Sequence, residues 1–239
     1  LIVSPPRSNA AARGDNAMHV VITGAAGALG REAAAVLSDA GHTITGIDLA
    51  DIFDATDGID AGLGGIDLGD VDQVERAIDK SVEQSGPIGG LVNIAGVFAW
   101  ETLADGDASS WDLMYAMNLR SAVNTCRAAL EHLANPASIV NVGAGAAHHA
   151  GLGMGAYAAS KAGVHRLTEA LAEELKDRGT RVNAILPSII DTPANRKDMP
   201  DADFGTWVTT TELARVIGFL LSPDASGITG ALIPVSGRV

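Results

Sequence analysis

Two side chains four residues apart, Tyr157 and Lys161, form the pattern with the clearest chemical meaning in this sequence. On a helix they project from the same face, so the Lys161 ammonium can sit beside the Tyr157 phenol. A neighbouring positive charge favours the ionised form of a phenol, and such a phenol can exchange a proton near neutral pH. The spacing also occurs by chance, in which case the pair is a packed ring beside a solvated amine.

A glycine-rich turn far upstream strengthens the catalytic interpretation. The apolar run at residues 20–22 predicts a buried strand, and the pattern from Arg31 onward predicts a helix. The N-terminal amides of such a helix can hold the pyrophosphate of a dinucleotide. The turn residues that we expect to bind it are Gly24, Ala26, Gly27, Ala28, Leu29 and Gly30.

A second predicted strand, residues 43–48, ends in a carboxylate, Asp48. At this distance from the turn, a carboxylate can accept hydrogen bonds from the hydroxyls of an adenosine ribose. The same charge would repel a 2′-phosphate, and the following residues, Leu49 and Ala50, supply no compensating cation. We therefore expect the cofactor to be NAD rather than NADP.

Short apolar runs separated by helical patterns indicate the elements that position these residues. The predicted strands cover residues 19–23, 43–48, 90–95, 138–142, 181–186 and 231–235. This alternation predicts a single Rossmann-type, doubly wound α/β fold, with a parallel sheet of about seven strands and helices on both faces. We expect this domain to span residues 18–239, after an N-terminal extension at residues 1–17 that lacks periodicity.

The composition limits the class of protein and its partners. The chain has 239 residues, of which 47% are hydrophobic, enough for one large domain. A formal net charge of −13 without a Lys/Arg cluster should repel nucleic acid and anionic lipid, so we expect a small-molecule substrate. The single cysteine, Cys126, suits a buried structural thiol in a reducing cytoplasm. We expect no membrane span and no metal site, because no apolar run is long enough to cross a bilayer and no metal-ligand pattern stands out.

From about residue 18 to the end, these features together resemble the short-chain dehydrogenase/reductase family. The resemblance implies that Tyr157 is the acid/base, that Lys161 binds the nicotinamide ribose and lowers the Tyr157 pKa, and that Asn118 supports a proton relay. It also implies a homodimer or homotetramer, because the family commonly packs the helices that carry these residues against partner copies. Further implied cofactor contacts are Asp67, Leu68, Asn93, Ala95, Gly96, Pro187, Ile190 and Thr192.

The chain departs from the family at Ala144, thirteen residues before Tyr157, where a Ser usually hydrogen-bonds the substrate oxygen. Loss of one such donor typically lowers kcat by ~10²–10³ where the mechanism relies on it. Either the substrate does not need the donor, or another group supplies it, or turnover is slow or absent. His148 and His149 are candidates for that other group, and Phe204 is a candidate anchor of a substrate lid at residues 193–207.

One branch of the family also lacks this Ser, and the C-terminal half of the chain resembles it. Residues 143–157 and 186–204 are similar to quinonoid dihydropteridine reductase, in which NADH reduces a conjugated C=N system. The sequence thus predicts an NAD(H)-dependent oxidoreductase for a small carbonyl, alcohol or conjugated imine. A dihydropteridine-type reductase and an NAD-binding protein with little turnover are the alternatives.

Overall fold

The structure, a computed structural model, describes residues 17–51 and 58–239. The strands are β1 (His19–Thr23), β2 (Thr43–Ile47), β3 (Ala61–Leu63), β4 (Ile88–Asn93), β5 (Leu133–Val142), β6 (Arg181–Pro187), β7 (Ile190–Asp191), β8 (Val208–Thr209) and β9 (Leu232–Val235). The α-helices are α1 (Ala28–Asp39), α2 (Val71–Ser85), α3 (Ala108–Met114), α4 (Ser121–Ala129), α5 (Gly155–Leu175), α6 (Pro193–Asp198) and α7 (Thr210–Leu221). The predicted extension at residues 1–17 lies outside the described residues except for Ala17, so its boundary stays a prediction.

Seven strands form one parallel sheet in the order β3-β2-β1-β4-β5-β6-β9. This confirms the predicted Rossmann-type, doubly wound, seven-stranded sheet. The order of strands reverses at β1, which pairs with β2 on one side and with β4 on the other. In open parallel sheets, ligands bind beyond the carboxyl ends of the strands at such a reversal. Within the described ranges, no helix is both long and apolar enough to cross a bilayer.

The strands differ from the predicted ones in several places. Strand β3 was not located from the sequence, because a three-residue edge strand with a central glycine carries little apolar pattern. Strand β5 begins at Leu133, since this residue pairs with Ile88 before a register shift. Strand β4 ends at Asn93, so the predicted strand residues 94 and 95 belong to the loop that follows.

Alternate residues of the central strands face two separate apolar cores. Val20 and Ile22 pack with α1 and α7 on one side of the sheet, whereas Val21 packs with α2, α4 and α5 on the other. This is the period-two alternation of a strand that is covered on both faces. Burial of a side chain of this size contributes about 1.5–3 kcal/mol relative to exposure. The sheet is therefore a rigid platform for the loops at its carboxyl edge.

A buried polar ladder joins α5 to the sheet. The Asn93 side-chain amide donates to Asn141 Oδ1 at 2.9 Å, and the Asn141 amide donates to Thr168 Oγ1 at 2.9 Å. The Thr168 hydroxyl in turn donates to the Val164 carbonyl within α5 at 2.8 Å. Because buried polar groups are costly without partners, the ladder favours one position of α5 on the sheet. That position places the first two turns of α5, which carry Tyr157 and Lys161.

A π-helical turn, Tyr115–Arg120, lies between α3 and α4 and makes them one continuous helix. The turn contains Asn118, whose side chain is buried inside the protein. The wider turn of a π-helix rotates the side chains beyond it, and such turns frequently occur at functional sites. Here it aims Asn118 at the loop that follows β4.

Candidate active site

One large cavity, with a volume of about 1070 Å³, lies beyond the carboxyl ends of the parallel strands. Segments that follow β1, β2, β4, β5 and β6 line it, as expected for a ligand site in this type of sheet. The predicted residues that line it are Gly24, Ala26, Gly27, Ala28, Leu29, Gly30, Asp48, Asp67, Leu68, Ala95, Gly96, Ala144, Tyr157, Lys161, Pro187, Ile190 and Thr192. The predicted residues outside its lining are Asn93, Asn118, His148, His149 and Phe204.

The glycine-rich turn brings bare backbone to the cavity wall. Gly24 has a φ of +68°, and a Cβ at this position would lie 2.8 Å from the Ala95 nitrogen. A Cβ on Gly30 would overlap the Gly24 carbonyl oxygen. No side chain caps the N-terminus of α1 at Gly27. The turn therefore fits a pyrophosphate, which needs a close approach to the backbone and a helix N-terminus.

Asp48 lies just beyond β2, and backbone amides hold its carboxylate at the cavity wall. Oδ2 accepts from the Ala26 amide at 2.9 Å, and Oδ1 accepts from the Ala50 amide at 2.9 Å. Asp67 is held in the same way, with Oδ1 accepting from the Gly69 amide at 2.8 Å. These carboxylates line the end of the cavity near β2 and β3, and their predicted contact with the adenosine of a dinucleotide stays a prediction.

Lys161 is buried within the first turns of α5, with its side chain at the cavity wall. Its Nζ donates to the Val142 carbonyl, the last residue of β5, at 2.8 Å. Burial lowers the pKa of Lys161 to about 8, because the charged ammonium loses its hydration. An amine in this state can exchange its proton close to neutral pH.

Tyr157 projects into the cavity one helical turn before Lys161. The Phe98 ring packs edge-on against it, with a centroid distance of 5.0 Å and an interplanar angle of 84°. Burial raises the pKa of Tyr157 to about 12. The expectation that Lys161 lowers this pKa is not met in this structure, since desolvation of the phenol dominates. The phenol is accordingly protonated at neutral pH.

The Asn118 side chain holds backbone groups rather than facing the cavity. Its Oδ1 accepts from the Val97 amide at 2.7 Å, and its Nδ2 donates to the Val97 carbonyl at 3.0 Å and to Ser160 Oγ at 3.0 Å. Ser160 Oγ donates to the Tyr157 carbonyl at 2.7 Å. Asn118 therefore connects the loop after β4 with the helix that carries Tyr157. Its predicted role in a proton relay stays a prediction.

The side chain of Asn93, a predicted cofactor contact, forms structural hydrogen bonds inside the protein. Besides its bond to Asn141, its amide donates to Cys126 Sγ at 3.2 Å. Burial raises the pKa of Cys126 to about 12, so the thiol stays protonated. This confirms the prediction of a buried structural cysteine.

Ala144 lies in the cavity wall and is almost fully buried, with 3% of its surface exposed. The two histidines predicted as alternative donors, His148 and His149, are exposed and lie outside the cavity lining. The ring of His148 packs instead against His165, with a centroid distance of 5.3 Å. The structure thus brings neither predicted histidine to the cavity wall beside Ala144.

The predicted lid, residues 193–207, begins with α6 and is anchored by an aromatic pair. Phe204 packs against the buried ring of Trp207 at a centroid distance of 4.9 Å, and the Arg196 guanidinium lies 4.9 Å from the Phe204 ring. Arg196 also forms a bidentate ion pair with Asp191, at 2.5 and 2.7 Å. Phe204 therefore stabilises the lid from outside the cavity, while other lid residues line it.

Several residues that sequence reasoning did not identify also matter here. Phe98, Met154, Ser188, Asn195 and Met199 line the cavity. Their only sequence signal was proximity to a predicted motif, because different loops bring them together.

His165 was also not predicted from the sequence. It is buried and lies one helical turn beyond Lys161 on α5. Its Nε2 has no hydrogen-bond partner, and burial lowers its pKa to about 4. The ring fits against Gly143, since a Cβ there would lie 2.7 Å from Nε2. The spacing of four residues from Lys161 on one helix face is the signal that could have identified it.

The chain is similar in sequence to known oxidoreductases along most of its length. The sequence model of one protein family, described as enoyl-(acyl carrier protein) reductase, matches residues 24–237. An uncharacterized oxidoreductase of Schizosaccharomyces pombe is 34% identical, over 91% of this chain and 89% of that protein. A 3-oxoacyl-(acyl-carrier-protein) reductase of Thermotoga maritima is 31% identical, over 91% of this chain and 95% of the relative.

Solved structures show the same architecture. A short-chain dehydrogenase/reductase from Brucella melitensis, described as a glucose/ribitol dehydrogenase, superposes with a TM-score of 0.86 and 30% identity, covering 92% of this chain and 95% of that one. A carveol dehydrogenase from Mycobacterium avium, solved in complex with NAD, superposes with a TM-score of 0.83 and 25% identity. The superposition covers 94% of this chain and 98% of the carveol dehydrogenase chain.

The buried ammonium of Lys161 should make stability depend on pH. Its pKa is lowered from 10.5 to about 8 on folding, so between these values the unfolded chain binds more protons than the folded protein. Relative to a Lys161→Met variant, the wild type should therefore gain up to about 3 kcal/mol of unfolding free energy as the pH rises through this window. Urea unfolding of both proteins from pH 7 to pH 10.5 measures the difference.

Lys80→Met is the matched control, because it removes an exposed ammonium from α2. It should change stability by less than about 0.5 kcal/mol. Parallel stability curves for the wild type and the Lys161→Met variant across this pH range would contradict the burial argument.

Proposed function

Because the chain belongs to the short-chain dehydrogenase/reductase family, we propose that it is an NAD(H)-dependent oxidoreductase. It transfers hydride between the nicotinamide and a small carbonyl, alcohol or conjugated imine substrate. One observation carries this proposal: Tyr157 and Lys161 line the same cavity as the glycine-rich turn. A proton donor and a dinucleotide site thus share one space, as hydride chemistry requires.

The preference for NAD over NADP is supported by charge. The Asp48 carboxylate, held by two amides at the cavity wall, would meet a 2′-phosphate. The sequence contains no Lys or Arg between Arg31 and Arg76, whereas it contains many acidic residues there. Arg31 itself donates through Nε to the Ala26 carbonyl at 2.9 Å. The NAD complex of the similar carveol dehydrogenase also supports this choice.

The protein's own groups supply the proton and the geometry, while the nicotinamide, when bound, supplies or accepts the hydride. In reduction, the Tyr157 hydroxyl donates its proton to the substrate oxygen or nitrogen, and its raised pKa keeps that proton in place beforehand. Lys161, buried at the cavity wall one helical turn after Tyr157, would hold the nicotinamide ribose. Asn118 keeps the loop after β4 and the start of α5 in register for this transfer.

Ala144 bears on which substrates can react. Ala144 has no hydroxyl group to donate a hydrogen bond to the substrate. A carbonyl oxygen that accumulates negative charge therefore has Tyr157, but not residue 144, as a donor in this wall of the cavity. A conjugated C=N group spreads the developing charge over a ring and depends less on a second donor. This observation favours a dihydropteridine-type reductase as the second candidate function. An NAD-binding protein with little turnover is the third, and retention of both Tyr157 and Lys161 weighs against it.

We also propose a homodimer or homotetramer in the cytoplasm. Four large apolar side chains are exposed on the helix formed by α3, the π-turn and α4. Exposed apolar surface of this extent commonly marks a subunit interface. Ala158 and Leu171 of α5 are buried within the subunit, so they add no exposed apolar surface. The exposed residues are Trp111, Leu113, Tyr115 and Val123.

A direct test of the proposed function is an NADH-oxidation screen over quinonoid dihydropterins, quinones, ketones and aldehydes. Turnover of at least one class, with NADH consumed in equal amount to product, supports an oxidoreductase. Tight NADH binding without turnover of any class would favour the third candidate.

Cofactor choice should depend on the charge of Asp48. We expect NADH to bind at least about tenfold more tightly than NADPH, which corresponds to 1.4 kcal/mol or more. Asp48→Asn removes the repulsive charge at nearly constant shape, so it should reduce the difference in affinity between NADH and NADPH. Asp39→Asn, at the exposed end of α1, is the matched control and should leave that difference unchanged. Fluorescence titration with both cofactors measures this, and equal or tighter NADPH binding by the wild type would contradict the assignment.

Tyr157→Phe should abolish turnover of any accepted substrate and leave NADH affinity nearly unchanged, because the phenol acts in proton transfer. Tyr115→Phe, at the other tyrosine, is the matched control. Ala144→Ser should raise kcat for a carbonyl substrate by up to ~10²-fold and have little effect on a quinonoid substrate. Steady-state kinetics distinguish these outcomes. Full activity of the Tyr157→Phe variant would refute the mechanism.

Subunit association should depend on the exposed apolar face. The wild type should scatter light as a dimer or tetramer at micromolar concentration, and Leu113→Arg should lower the mass by placing a charge in the interface. Leu152→Arg, an equally drastic change at another exposed leucine, serves as the control. A monomeric wild type would overturn the proposal.

A further inference from the structure

The cavity has a charged end and an end without charged side chains. Among the described residues that line it, the charged ones are Asp48, Asp67 and Lys161. The two carboxylates follow β2 and β3, at the end where we propose that adenosine binds, and Lys161 lies one helical turn after Tyr157 on α5. The space beyond Tyr157 is lined chiefly by apolar side chains, those of Val97, Phe98, Ala144, Met154 and Met199.

Two exposed aromatic rings lie in the loop that follows β4, and one of them, Phe98, lines this apolar end. Phe98 is 56% exposed although its edge packs on Tyr157, and Trp100 is 58% exposed. Trp100 is held in place by Gly153, since any Cβ there would overlap its indole ring. The Glu101 amide also donates to the Gly153 carbonyl at 2.8 Å. The exposed part of the Phe98 ring presents a surface on which a flat molecule can stack.

The charges of the protein disfavour the binding of an anion at the apolar end of the cavity. The chain carries a formal net charge of −13. The Arg196 guanidinium, on the lid beside the lining residue Asn195, is paired with both oxygens of Asp191. A negatively charged group in the space beyond Tyr157 would lose its hydration there, and the apolar side chains that line this space supply no cation in return.

We propose that the substrate is a neutral, flat ring compound and that anionic or carrier-bound acyl compounds are disfavoured. This rests on the proposed function, because the ring's carbonyl or imine group must reach Tyr157. For a ring ketone, a C–H bond forms at the carbonyl carbon as NADH is oxidised to NAD⁺. An O–H bond forms with the Tyr157 proton, which solvent then replaces. The ring itself lies among Phe98, Met154 and Met199.

The test uses two ring ketones that differ by one charge, isatin and isatin-5-sulfonate, together with acetoacetyl-CoA. Calorimetric titration of the NAD⁺-saturated protein measures binding alone, because these ketones need a hydride that NAD⁺ does not carry. Isatin should bind at least about tenfold more tightly than the sulfonate or the thioester. Oxidation of NADH, measured separately, should show the same order of kcat/KM.

A charge placed in the lining should change this preference. Met199→Arg should improve the affinity for the sulfonate relative to isatin by about fivefold or more, since it supplies a cation inside the cavity. Leu103→Arg adds the same charge at an exposed position outside this cavity and should leave the ratio unchanged.

The outcomes separate the substrate class from the reaction. Equal or tighter binding of the sulfonate or acetoacetyl-CoA, or no binding of isatin, would overturn the neutral-ring inference. Binding of isatin in the expected order without oxidation of NADH would support the inference about the cavity and count against the proposed oxidoreductase activity.

Discussion

The side-chain amide of Asn118 is the interaction on which the active-site geometry depends. It satisfies both backbone groups of Val97 and also reaches Ser160, which lies between Tyr157 and Lys161 on α5. One buried group therefore fixes the loop after β4 against the first two turns of α5, which carry Tyr157 and Lys161. The π-turn makes this possible, because it turns the amide toward both partners at a point where a regular helix would aim it differently.

The fold was predictable because its central strands are buried on both faces and read as short apolar runs. Runs such as residues 20–22 and 139–142 give a clear pattern, and the helices between them imply parallel pairing. The edge strand β3 was missed for the opposite reason, since it is short and contains Gly62. The early start of β5 was missed because it arises from pairing with a distant strand, which local pattern does not encode.

The site was predictable where chemistry depends on local backbone. The glycine-rich turn, Asp48 and the pair of Tyr157 and Lys161 need fixed spacing along the chain, and all of them line one cavity. Phe98 and Met199 also line this cavity, but the fold brings them together from distant parts of the chain, so local sequence pattern did not predict them. The sequence also did not predict the direction in which the pKa of Tyr157 shifts, because this shift depends on how deeply the phenol is buried.

The ladder of Asn93, Asn141 and Thr168 has a consequence for how this sequence can drift over evolutionary time. Replacing one member alone leaves a buried partner unsatisfied, at a cost of about 1–3 kcal/mol, whereas replacing all of them with well-packed apolar groups can be nearly neutral. The positions are therefore epistatic. A lineage that holds the ladder can leave it only through less stable ancestors, so the polar state tends to be inherited as a unit.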